Sequence, residues 1–177
     1  MAHVIDPTAR ISRLADLEDS QRGSRLVIGA EVVIESFVKV KFAGGSGDII
    51  IGPRCHVNAG VTIYSGHGVH LGTGVLIAAN CTLAATNHAI GDPARLIRDQ
   101  GFMPSRGGII IGDDVWIGAN CVLLDGADIG RGAVIGAGSV VRGHVPDLMR
   151  AAGSPLRFLG LRGQAPTPPA SPTASRR

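Results

Sequence analysis

Residues 111–140 read IGDDVW IGANCV LLDGAD IGRGAV IGAGSV, five consecutive hexapeptides that each open on isoleucine or leucine. A small or β-branched residue usually stands fifth. Repeats are sought before individual elements because a fixed period decides the architecture. Carried outward, the frame gives three aliphatic starts per group: Ile5, Ile11, Leu17; Ile28, Ile34, Val40; Ile51, Val57, Ile63; Leu71, Ile77, Leu83; Ile111, Ile117, Leu123; and Ile129, Ile135, Val141. Successive groups begin 23, 23, 20, 40 and 18 residues apart. Three hexapeptides make 18 residues, so the excess lies in insertions between whole turns, the largest being residues 89–110. Three short strands per turn describe a triangular parallel β-helix of about six coils, each strand pairing with its counterpart one turn away. The aliphatic starts point inward, and glycine at many second positions is expected to help the chain turn the corners.

Composition agrees. Aromatic residues make up 3% of the 177 residues and glycine contributes 26 of them, a mixture suited to short strands and tight turns rather than helices. The chain is expected to form one domain over residues 1–162, with a Pro-rich disordered tail at 163–177. Residues 146–161 have apolar spacing suited to a short helix or a capping turn. No apolar run approaches 18 residues, and the first residues lack the basic and apolar blocks of a secretory signal, so a soluble cytoplasmic protein is expected. The formal charge of +3 owes two units to Arg176 and Arg177. The remaining arginines are scattered without interleaved aromatics, which argues against nucleic-acid binding, and nothing suggests a membrane. Cys55, Cys81 and Cys121 each stand fifth in a hexapeptide, where a small buried side chain fits, so they read as packing residues and not as a disulfide framework.

His88 ends the hexapeptide Leu83–His88, in the sequence TNH, where the long insertion leaves the repeat. Loops of that length in a compact domain are usually functional. A histidine there can take a proton near neutral pH, as a hydroxyl nucleophile requires.

The segments NAGVTI (58–63), LGTGVLIAANCTLAATNH (71–88), IIIGDDVWIGANCVLLDGADIG (109–130), AVIGAGSVV (133–141) and AAGSPLR (151–157) resemble the hexapeptide-repeat acyltransferases. Within them the likeness is to galactoside and maltose O-acetyltransferases and to sugar O-acetyltransferases of polysaccharide biosynthesis. The period alone leaves the hand of the coil open, and general crossover rules favour the right hand. The resemblance implies instead a left-handed β-helix, a homotrimer and acetyl-CoA as co-substrate, with no metal and no acyl-enzyme. It implies His88 as general base, with Asn58, Asn87 and Met103 toward the acceptor sugar. Trp116, Gly118, Ala119, Gly136, Ala137, Arg142 and Arg157 would line the cofactor channel, in a site shared by two subunits. Arg142-Gly143 stands where such enzymes commonly have Thr-Lys, and the insertion has only Asp92 and Asp99 as acids, so the acceptor is the least determined part. N-acetylation of an amino sugar remains open. So does a zinc-dependent carbonic anhydrase on the same fold, for which His56, His67, His70 and His88 would be the ligand candidates.

Overall fold

The computed structural model describes residues 3–164; the remainder of the expected tail, from residue 165 on, lies outside the described residues. Three parallel sheets form the sides of a prism. Sheet A stacks Val4–Ile5, Leu26–Ile28, Ile49–Ile51, Val69–Leu71, Ile109–Ile111, Ala127–Ile129 and His144–Val145. Sheet B stacks Arg10–Ile11, Val33–Ile34, His56–Val57, Leu76–Ile77, Trp116–Ile117, Val134–Ile135 and Met149–Ala152. Sheet C stacks Asp16–Leu17, Lys39–Lys41, Thr62–Tyr64, Thr82–Ala84, Val122–Leu124 and Val140–Val141. The chain visits A, B and C in turn, making six full coils and two sides of a seventh.

Register follows the hexapeptide frame. Ile51 pairs with Leu71 and Leu71 with Ile111 on sheet A, Val57 with Ile77 and Ile77 with Ile117 on sheet B, and Ile63 with Leu83 and Leu83 with Leu123 on sheet C. Their side chains are buried in one continuous aliphatic core from coil two upward. Coil one closes the prism less completely: Ile5 is 40% exposed, and Ile11 and Leu17 are half-buried.

Two expectations are corrected. Residues 146–161 form neither a helix nor a simple capping turn. Met149–Ala152 continues sheet B into a seventh coil, and Arg157–Leu161 folds back antiparallel on it, covering that end of the sheet with a hairpin. Val145 and Ala151, both buried, extend the inward columns of Ile129 and Ile135. The second-position glycines, moreover, do not make the corners by adopting left-handed backbone. That conformation falls on the fourth residue, as at Asn80 and Asn120 (φ 59° each) and Gly138 (φ 70°). Second-position glycines answer a close approach between coils: a Cβ on Gly118 would stand 2.6 Å from the Ala137 nitrogen, and one on Gly29 2.9 Å from the Pro53 nitrogen.

Candidate functional site

The corners between sheets differ in what they do with their backbone amides. At each corner the carbonyl of the second residue can turn inward, and in a planar trans peptide the following N–H then faces out. At the A–B corner the outward positions of coils three, four and six offer no free donor, whereas the Ala30 and Asp113 amides of coils two and five have no acceptor among the described residues. Pro53 has no N–H, Thr73 donates to Asp113 Oδ1 at 2.6 Å, and Arg131 donates to Asp147 Oδ1 at 2.9 Å. At the B–C corner the corresponding residues are Ala59, Ala79, Ala119 and Ala137, and none of these four N–H groups has an acceptor among the described residues. They stand one coil apart, about 4.8 Å by the ordinary strand spacing. Side chains beside them are minimal in coils four to six (Ala78, Gly118, Gly136) and polar below, where Asn58 and Glu35 occupy the same column. The result is a row of donors suited to an extended ligand bearing carbonyl oxygens.

Trp116 lies on the outer face of sheet B beside this row, 52% exposed, between Leu76, 49% exposed, and Val134. So large an apolar stripe on one sheet face marks a contact surface rather than a folded interior. Leu76, Trp116 and Val134 line a cleft of about 240 Å³ with Arg162, whose guanidinium is held by Asp114 at 2.8 Å. Arg162 was not anticipated from sequence, because it lies beyond the recognisable motifs and reaches the cleft only through the hairpin. Arg157 is exposed at the start of the returning strand, in register with Ala152, the residue that a Cβ on Gly136 would meet at 2.8 Å. Trp116, Gly118, Ala119, Gly136, Ala137 and Arg157 therefore gather along one side of coils five to seven.

His88 lies at the C–A corner of coil four. It is exposed, and its ring stacks on Phe102 with centroids 4.8 Å apart. The His88–Phe102 bridge is flanked by Ala89 donating to the Gly101 carbonyl at 3.0 Å and Met103 donating to the Asn87 carbonyl at 2.8 Å. The long loop thus leaves and returns through a narrow neck that brings Asn87, His88, Phe102 and Met103 together. Its return leg is fastened by Asp125, a buried carboxylate accepting from the Arg106 and Gly108 amides at 2.9 Å each. Asp92 and Asp99 sit farther out. The Asp92 side chain accepts from the Ala94 amide at 2.9 Å, and Gln100 bonds both the amide and the carbonyl of Asp92, so these groups build the loop's turn.

One chain does not assemble all the anticipated residues. His88 and Arg142 occupy the C–A corner, whereas Asn58 and the channel residues occupy the B–C corner, with the width of sheet C between them. That sheet's outward column is Thr62, Thr82, Val122 and Val140 in coils three to six, uncharged, whereas coils one and two present Asp16 and Lys39. The four histidines weighed as zinc ligands also scatter. His56 lies on sheet B with Nε2 3.2 Å from Glu35, His70 on the outer face of sheet A, and His67 and His88 at C–A corners. Among the described residues no group of three or more potential ligands stands close enough to share a metal. No helix among them is long and apolar enough to cross a membrane.

Comparison with known proteins bears directly on this arrangement. Residues 108–143 match the family model described as bacterial transferase hexapeptide (six repeats), and residues 64–85 match the hexapeptide repeat of succinyl-transferase. The chain is 39% identical over 120 residues to galactoside O-acetyltransferase of Escherichia coli, covering 68% of this chain and 57% of that protein. It is 33% identical over 122 residues to the putative lipopolysaccharide biosynthesis O-acetyl transferase WbbJ of the same organism, covering 66% and 62%. The chain thus spans about three fifths of the length of these two relatives. Among solved structures, the hexapeptide-repeat acetyltransferase VCA0836 of Vibrio cholerae, complexed with acetyl-CoA, superposes with a TM-score of 0.68 at 28% identity, covering 77% of this chain and 71% of that one. AntD, an N-acyltransferase of Bacillus cereus, superposes at 0.75 with 23% identity over 90% of this chain and 84% of its own, a likeness of fold. The architecture is the left-handed parallel β-helix of these proteins.

Proposed function

We propose, from the premise that this chain belongs to the hexapeptide-repeat acetyltransferases, that it transfers an acetyl group from acetyl-CoA to a hydroxyl of a sugar. The observation that carries the reading is the open row of N–H donors at the B–C corner beside exposed Trp116. Among the described residues its third-position amides stay without acceptors in four consecutive coils, Ala59, Ala79, Ala119 and Ala137, and the pantetheine arm of coenzyme A is a thin extended chain with two amide carbonyls. Trp116 would pack along that arm, and Arg157 would meet the nucleotide phosphates. The channel would need neither a metal nor a covalent acyl-enzyme, because a thioester is already activated.

The missing proximity of His88 is supplied by a second copy. Three chains arranged about an axis with sheet C facing inward would set the C–A corner of each against the B–C corner of its neighbour. The uncharged column Thr62, Thr82, Val122 and Val140 suits such a central face. His88 and Arg142 of one subunit would then reach the channel of the next, with Asn58 below it. In the reaction, His88 would take the proton of the acceptor hydroxyl as its oxygen bonds to the thioester carbonyl carbon. A backbone N–H of the row would hold the tetrahedral oxyanion. Collapse would break the carbon–sulfur bond, and the departing thiolate would take the proton from His88.

An acceptor panel assayed with acetyl-CoA and thiol detection tests the reading and separates its two chemistries. A hydroxyl sugar that drives thiol release supports O-acetylation. Response to amino sugars alone would move the assignment to N-acetylation.

A further inference from the structure

The B–C corner has a second feature, on its inner side. In coil four the fifth residue is Cys81, whose Sγ donates to the Gly118 carbonyl of the coil above at 3.1 Å. In coil six it is Ser139, whose hydroxyl donates to the Gly136 carbonyl, a group also approached by Cys121 Sγ at 3.2 Å. In coil three the same place is Val61, which has no donor to offer. Thus the polar groups buried in this corner lie under the two peptide units, Gly118–Ala119 and Gly136–Ala137, that head the outward row. All are sealed from solvent: Cys81, Cys121 and Ser139 are each 0% exposed.

We infer that Cys81 and Ser139 are positioning residues, which hold the Gly118 and Gly136 carbonyls inward and thereby aim and polarise the Ala119 and Ala137 N–H groups for acetyl-CoA. The inference rests on the transferase reading and adds to it the interior groups that prepare its channel. The physical basis is short. A trans peptide presents its C=O and N–H on opposite sides, so fixing one fixes the other. A carbonyl that accepts a hydrogen bond makes the N–H of the same peptide unit a stronger donor. The polarity is that of a relay, from thiol or hydroxyl to carbonyl, then from amide to ligand, with no proton transferred. Cys81 suits this role because burial disfavours the thiolate, so the thiol keeps the proton it donates to the Gly118 carbonyl. Cys55 provides the internal contrast. It makes the same contact, Sγ to the Gly72 carbonyl at 3.0 Å, but at the A–B corner, where the outward amide of Thr73 is already spent on Asp113.

The test is calorimetric titration of the full-length protein with acetyl-CoA, comparing wild type with Cys81→Val, Cys81→Ser and Cys55→Val. Valine occupies the equivalent place in coil three, so the fold should accept it, and Cys81→Ala serves if it does not. Cys81→Val should raise Kd about three- to tenfold, the size of one ordinary hydrogen bond. Cys81→Ser, which restores a donor, should stay within about twofold of wild type, and Cys55→Val should leave Kd unchanged. Ser139→Ala combined with Cys121→Val, which removes both donors to the Gly136 carbonyl, should weaken binding in the same sense as Cys81→Val. Unaltered affinity in Cys81→Val, or equal weakening by Cys55→Val, would overturn the positioning role. Absence of acetyl-CoA binding by the wild type would overturn the transferase reading itself, and this inference with it.

Discussion

An imidazole stacked on Phe102 at the neck of a loop contributes little to an aliphatic core that runs elsewhere. His88→Ala should therefore leave the prism intact and spare acetyl-CoA affinity. Turnover should fall by roughly 10²–10⁴, the usual contribution of a positioned general base. Steady-state rates with the best sugar of the panel decide it, and retention of more than about a tenth of wild-type turnover would remove His88 from the mechanism. Trp116 should behave in the opposite way. Trp116→Ala deletes an exposed ring, so it should cost little stability while weakening acetyl-CoA binding measurably in calorimetry, and unchanged affinity would place the arm elsewhere. His88 could be read from sequence because it stands where an insertion leaves the repeat, whereas Trp116 was indicated by the resemblance alone, since its outward neighbours Leu76 and Val134 are also apolar. The buried donors at Cys81 and Ser139 could not be read from sequence. A fifth-position cysteine reads as packing, and only the three-dimensional partner of its sulfur shows a polar duty beside it.

Among the elements, the strands were transparent to periodicity and the joints were not. All eighteen aliphatic starts lie in strands and pair in the expected register, because an inward column at fixed spacing leaves no alternative register that keeps the core dry. The hairpin at 149–161 is hidden from periodicity for a physical reason. Its outer strand is largely exposed, so its apolar residues carry no inward alternation and imitate a helical face. The long loop was identified by its length alone, and its fastening by Asp125 depends on Arg106 and Gly108 returning from far along the chain. That contact yields a prediction. Asp125→Asn replaces one carboxylate oxygen with an NH₂ facing an amide donor, leaving a buried group unpaired, which costs about 1–3 kcal/mol locally. The loop's neck carries Asn87 and Met103, so KM for the acceptor should rise while Kd for acetyl-CoA stays near wild type. Limited proteolysis should cut residues 89–108 faster in the variant. Equal cleavage and an equal KM would separate Asp125 from the acceptor side.

For the whole molecule, the decisive feature is that one chain keeps His88 and the donor row on different corners. The proposed trimer should appear in light scattering as about three times the 18.2 kDa of one chain at micromolar concentration. A charge placed on the central face, Val122→Lys, should weaken assembly and turnover together while leaving each prism folded. Sequence periodicity was silent on this point, since the same columns would serve a lone prism, and it is the placing of His88 and the donor row at the two edges of sheet C, with an uncharged column between them, that suggests which side turns inward. The central claim, an acetyl-CoA channel completed by the neighbour's histidine, is tested most directly by subunit mixing. His88→Ala and Ala137→Trp proteins, the second blocked in its own channel by a ring at an exposed position of the donor row, are each assayed alone and after co-expression for sugar-dependent thiol release. The account predicts almost no turnover from either alone and about a third or less of wild-type activity from the mixture, because some interfaces then pair an intact His88 with an open channel. A mixture no more active than its separate components, although it forms trimers, would contradict it.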